Sequence, residues 1–138
     1  MRAVLLALGL SAPLLAAPAL AQGAGEAAAI EAAIADQLAD FNARDVAGAW
    51  EHASPMIQGM FGSPETFGTM VATGYPMVWT NTDADFLEVE DRGGARHQKV
   101  LVRDSGGAGW VLDYEMVEVE GEWRIDGVTV VPAPDLAA

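Results

Sequence analysis

A change of hydrophobic period near Pro76 constrains this chain more than any other feature. Before it, Ile30, Ile34, Leu38 and Phe41 recur three or four residues apart, the apolar stripe of an amphipathic helix. After it, apolar and polar residues alternate: Trp110, Leu112, Tyr114 and Met116 take one face, Asp113 and Glu115 the other. That is the pattern of half-buried strands. Helices first and strands second spell an α+β domain, with helices covering one face of an antiparallel sheet.

The helical half divides at its capping signals. The first helix is expected over residues 26–42. Asp45 can cap a second, short helix whose apolar face is Val46, Ala49, Trp50 and Ala53. Ser54-Pro55 ends it, because the residue before a proline avoids the helical region. Met56, Ile57, Met60 and Phe61 then form a connector too apolar for a plain surface loop. Ser63-Pro64 opens a third helix, Gly74 suits a left-handed stop, and Pro76 forbids continuation.

Strands are expected at residues 77–80, 86–91, 96–103, 109–119 and 122–131, joined at Gly93-Gly94, Gly106-Gly107 and Gly121. Such short glycine-marked links make hairpins, so the strands should meander antiparallel. The last strands would run roughly 30 Å at about 3.4 Å per residue, and strands that long twist and curl. The expected architecture is therefore N-terminal helices packed in a curved antiparallel sheet, a cone open at one end.

The ends of the chain carry a different message. Arg2, an uncharged apolar run, Pro18 and the Ala19-Leu20-Ala21 ending together read as a signal peptide over residues 1–21. Residues 22–29 are expected as a leader, 30–131 as a single α+β domain, and 132–138 as a disordered tail. A periplasmic or secreted location follows, and no stable membrane insertion is expected after cleavage. There is no cysteine, so disulfides, thiol catalysis and cysteine metal sites are excluded. Twenty acidic residues against 7 basic ones leave a net charge of −13, which argues against nucleic acid as a partner.

Several short motifs recur in a telling order: Ala53-Ser54-Pro55, Met60-Phe61-Gly62, Phe67-Gly68-Thr69-Met70-Val71, Tyr75-Pro76, Gln98-Lys99-Val100, Tyr114-Glu115-Met116 and Trp123-Arg124-Ile125-Asp126-Gly127-Val128. With the helix of Ile34, Leu38 and Phe41, and with Asp45 and Trp50, this order resembles domain of unknown function 4864, a family of small exported bacterial proteins. The resemblance spans about residues 30–130. That family is similar in turn to the nuclear-transport-factor-2-like, or cystatin-like, superfamily, which implies the same cone. The superfamily holds ketosteroid isomerases, polyketide cyclases, dehydratases and many non-catalytic binding or dimerisation modules, so the resemblance implies no particular activity.

Chemistry-bearing residues are sparse. His52 and His97 are the only histidines, and their settings, a helix end and a strand start, suit plain structural roles better than a metal pair. Asn81, Asp83 and Asp85 lack the glycine and distal glutamate of a calcium loop. No serine elbow, phosphate loop or dinucleotide fingerprint is present, so neither a metal nor a cofactor is expected. Of the tryptophans, Trp50 and Trp123 read as core, while Trp79 and Trp110 could line a cone mouth or a dimer face.

Tyr75, Gln98 and Tyr114 are the polar candidates for an interior ligand site. No carboxylate pairs with them: Asp45 reads as a helix cap, and Asp113 is on the opposite strand face from Tyr114. The leading expectation is a non-catalytic module that binds a small apolar ligand, or meets a second copy or another protein through its sheet. The alternative is a cofactor-free isomerase, lyase or hydrolase of ketosteroid-isomerase type, and whether the chain is an enzyme stays open at this point. Processing is directly testable. N-terminal sequencing of protein from the periplasm or medium of its host should start at Gln22, within about two residues; an intact Met1 in the membrane fraction would contradict export.

Overall fold

The computed structural model describes residues 19–132. Residues 1–18 of the expected signal segment and 133–138 of the expected tail lie outside the described residues. Helix α1 (Ala19–Asn42) buries Ile30, Ile34, Leu38 and Phe41 on one stripe. It starts before residue 26, so the expected leader, 22–29, is helical too. From residue 23 on, the first buried side chain of α1 is Ile30, and in an earlier turn Glu26 Oε1 accepts a 2.8 Å bond from Arg96 Nε.

The turn out of α1 uses an arginine where glycine is usual. Asp45 N–H donates to the Asp40 carbonyl (2.8 Å) and Arg44 N–H to that of Phe41 (3.0 Å), a Schellman closure that puts Arg44 at φ +59°. That conformation costs a non-glycine residue about 1–2 kcal/mol. The guanidinium offsets it by donating to the carbonyls of Phe41 (2.9 Å) and Trp79 (2.6 Å) and by sitting 4.1 Å from the Trp79 ring centroid.

Asp45 caps α2 (Val46–Glu51) by accepting from Gly48 N. The apolar connector is itself a helix, α3 (Pro55–Phe61). Ser54-Pro55 thus starts an element as well as ending one: Ser54 Oγ accepts from Ile57 N and proline occupies the first turn, the same device that Ser63 and Pro64 provide for α4 (Pro64–Gly74). The left-handed stop falls at Gly62, φ +79°, which ends α3. Gly74 does not have the left-handed φ expected of it, and α4 gives way at Tyr75.

The strand expected at 77–80 is instead a single helical turn, α5 (Pro76–Trp79). Pro76 sets a helical φ at its first position, and the adjacent Met77 and Val78 are both buried, which a one-sided strand does not permit. Buried Asn81 then closes the helical layer, donating to the carbonyls of Leu38 (3.0 Å) and Val78 (2.8 Å).

Strands β1 (Asp83–Arg92), β2 (Ala95–Arg103), β3 (Gly109–Val119) and β4 (Glu122–Val130) form one antiparallel meander in the order β1-β2-β3-β4. Gln98, Val100 and Val102 of β2 and Leu112, Tyr114 and Met116 of β3 face the helices, fully buried. This is the expected α+β arrangement, with four strands rather than five, and it is consistent with a cone. Two bulges bend the sheet, one between Phe86 and Val89 and one at Asp126. The second splits the alternation of β4: Ile125 pairs with Met116, and Val128, not Gly127, pairs with Tyr114. All four tryptophans are half-buried against the core rather than divided between core and mouth.

The outer edge of β4 does not stay bare. Ser54 N–H donates to the Ile125 carbonyl (2.8 Å), Ile125 N–H donates to that of His52 (2.7 Å), and Ser54 Oγ donates to Asp126 Oδ1 (2.6 Å). The α2–α3 turn is thereby stitched to the strand at its bulge. Phe67 of α4 centres the aromatic core, with ring centroids of Trp50, Phe41 and Phe61 at 5.6, 5.9 and 6.0 Å.

Helices α2 and α4 touch at Gly68, where an added Cβ would stand 2.7 Å from Val46 Cγ1 and 3.3 Å from its Cβ. Gly59 of α3 has nothing within 4 Å of that position. Alanine ordinarily stabilises a helix interior by about 1 kcal/mol over glycine. Gly59→Ala should therefore raise stability by up to about 1 kcal/mol, whereas Gly68→Ala should lower it by about 1–3 kcal/mol through overpacking. Chemical denaturation of both variants checks the pair; a stabilising Gly68→Ala would contradict the α2–α4 contact.

Candidate functional site

Between the helices and the β3–β4 half of the sheet lies a cavity of about 240 Å³. Phe41 of α1 and Phe67 and Val71 of α4 form its floor, and Ile57, Met60 and Phe61 of α3 form one side with Met70. The sheet side is Tyr114, Ile125 and Val128, with Tyr75 and Val78 closing the end. Among the described residues, no Asp, Glu, His, Lys or Arg lines it. The wall made by α3 is the thinnest part: none of its residues is buried, and Met56 and Met60 are 53% and 65% exposed. Unbranched methionine side chains adapt to irregular apolar shapes, and Met60 is on the lining.

Tyr75, Tyr114 and Gln37 are the polar side chains among the lining residues. Tyr75 donates its hydroxyl hydrogen to the Val128 carbonyl at 3.0 Å. Tyr114 is fully buried and its hydroxyl has no hydrogen-bond partner. Burial, reinforced by the neighbouring Tyr75, holds its pKa well above the ordinary phenol value, so it stays protonated and keeps a hydrogen to donate. Gln37, also on the lining, is anchored by its amide N–H to the Ala49 carbonyl (3.1 Å).

The structure brings Tyr75 and Tyr114 together but not Gln98. Gln98 is Tyr114's cross-strand neighbour, yet it does not line the cavity. Its amide nitrogen donates to the carbonyl of its own neighbour Lys99 (2.8 Å) and, in the β1 bulge, to those of Leu87 (3.2 Å) and Glu88 (3.4 Å). Gln98 Oε1 also lacks a partner. The sequence reading missed Met60, Phe61, Phe67 and Met70 as lining residues; the one available signal was the unusual apolarity of the connector.

The remaining candidates lie elsewhere. His97 Nδ1 is 2.9 Å from Asp113 Oδ1 on the solvent face of the sheet, where Arg92 also holds Asp113 at 2.8 Å. Lys99 on the same face stands 3.6 Å from both Glu88 and Glu90. His52 is 3.7 Å from Asp40 at the end of α2. Asp40 has its pKa raised, chiefly by burial and against the opposing pull of His52. Among the described residues no group of three histidine or carboxylate side chains is placed to hold a metal ion, and no helix is long and apolar enough to cross a membrane.

Residues 24–138 match the family model described as Domain of unknown function (DUF4864). The chain belongs to that family. The match takes in both ends of the span over which the sequence motifs resemble it. No curated protein and no solved structure matches the chain. Membership of DUF4864 brings no activity with it, so the cavity must carry the functional argument.

Proposed function

We propose that this DUF4864 domain is a non-catalytic module that holds a small, mainly apolar ligand in the cavity between α3, α4 and the β3–β4 face. The observation that carries the reading is an uncharged, largely apolar cavity of about 240 Å³ inside a small domain. Cores are ordinarily close-packed, and voids much larger than a water molecule are few. An apolar space of this size is what ligand pockets are made of: hydrophobic walls with a few polar groups to fix orientation.

Proton-transfer chemistry is the weaker reading. An isomerase-type site needs a carboxylate or imidazole beside its tyrosine donor, and the cavity lining offers neither. The sheet's solvent face is also the weaker binding surface, since His97, Lys99 and Arg92 there are already matched with carboxylates of the same face. We further propose export, on Arg2, the apolar run and Ala19-Leu20-Ala21; cleavage after Ala21 would leave Ile30, Ile34, Leu38 and Phe41, the buried stripe of α1, in the mature chain.

Native mass spectrometry of protein purified from its own host tests the reading. A small neutral adduct should accompany the wild type and be lost in Ile57→Trp, which fills the cavity from its α3 wall. An adduct that persists in Ile57→Trp, or a wild type that carries none and takes up no apolar molecule, would contradict it.

A further inference from the structure

Tyr114 presents a problem that the protein itself does not solve. It sits in the middle of β3 between buried Leu112 and Met116, fully shielded from solvent. Its hydroxyl nevertheless has no partner, while that of Tyr75 is committed to Val128. A buried hydroxyl without a hydrogen bond is costly, and native structures leave few such groups without a reason. Here the reason is position, because Tyr114 is among the residues that line the cavity.

We infer that the ligand is a compact uncharged molecule carrying a single carbonyl-type acceptor, which takes its hydrogen bond from the Tyr114 hydroxyl. This rests on the ligand-binding reading above and narrows it in three ways. Charge is excluded first. No lining side chain is ionic, and an unpaired ion in such a space carries a prohibitive desolvation cost. The polarity of the ligand follows next. The phenol hydrogen is the unspent donor, so the complementary group is an acceptor, and the aliphatic, aromatic and methionine walls call for hydrocarbon everywhere else.

Size is the third restriction. A cavity of about 150 Å³ holds one benzene, so 240 Å³ suits a bicyclic molecule of about ten non-hydrogen atoms. The cationic ligand that an acidic surface would attract at long range is thereby disfavoured at the site itself. The net charge of −13 acts on approach, whereas the lining acts on the bound state.

The probe pair is 1-indanone and indane, which share a shape and differ by one carbonyl. Both are titrated calorimetrically into the full chain, as wild type and as Tyr114→Phe. The expected result is that Tyr114→Phe weakens 1-indanone by about three- to tenfold and leaves indane unchanged or slightly tighter. The infrared carbonyl stretch of bound 1-indanone should also lie lower in the wild type than in the variant. If Tyr114→Phe affects both probes alike, or neither, the hydroxyl makes no hydrogen bond to the bound molecule. The inference then falls, while the cavity reading stands. If the wild type binds neither probe, both fall. Should Tyr114→Phe not fold, the wild-type spectrum decides alone: a bound carbonyl stretch equal to that of 1-indanone in hydrocarbon solvent overturns the inference.

Discussion

The structure depends on the stitch between the α2–α3 turn and the bulge of β4. Two backbone hydrogen bonds join His52 and Ser54 to Ile125, and Ser54 Oγ meets the carboxylate of Asp126 at 2.6 Å. Ser54 performs three tasks from a buried position: it pairs with the strand, caps α3 through Ile57 N, and satisfies the bulge residue. The stitch fixes where α3 starts and therefore how far its apolar side stands from the sheet. It also covers an edge that would otherwise expose unpaired backbone. Ala53, Ile57, Ile125 and Gly127, all at or next to the stitch, border the cavity.

The cavity is thus a consequence of how two layers are spaced. On one side, α4 is pressed against α2 at Gly68 and against α1 through Phe67 and Phe41, so it cannot settle further into the core. On the other, the bulge at Asp126 moves Val128, rather than Gly127, opposite Tyr114, and the Val128 carbonyl takes the Tyr75 hydroxyl. Between these limits α3 is the outermost wall, with exposed methionines and no buried residue of its own.

Much of the fold was legible in the sequence, because periodicity and capping are local. The α1 stripe, the Ser63-Pro64 start, the four glycine-linked strands and the inward face of β3 all follow from residues near one another in the chain. The departures have physical causes. Ser54-Pro55 and Tyr75-Pro76 read as stops, yet proline suits a first helical turn as well as it blocks a continuing one. Arg44 in a glycine role is explained only by Trp79 and the Phe41 carbonyl, and Trp79 is remote in sequence. The candidate site was legible in part. Tyr75 and Tyr114 stood out as buried hydroxyls, whereas Gln98 was absorbed by a bulge that no local pattern announces. A cavity is what packing leaves behind, so it has no sequence signature of its own.

The central claim is that the space beside Tyr114 is a standing apolar cavity rather than a gap that side chains fill in solution. Crystals of the protein under xenon pressure test it most directly, since xenon enters dry apolar cavities. The account predicts a xenon atom among Phe67, Met70 and Tyr114, with α3 in place above it. A xenon-free site, with Met60 and Met70 folded into the space against Tyr114, would contradict it.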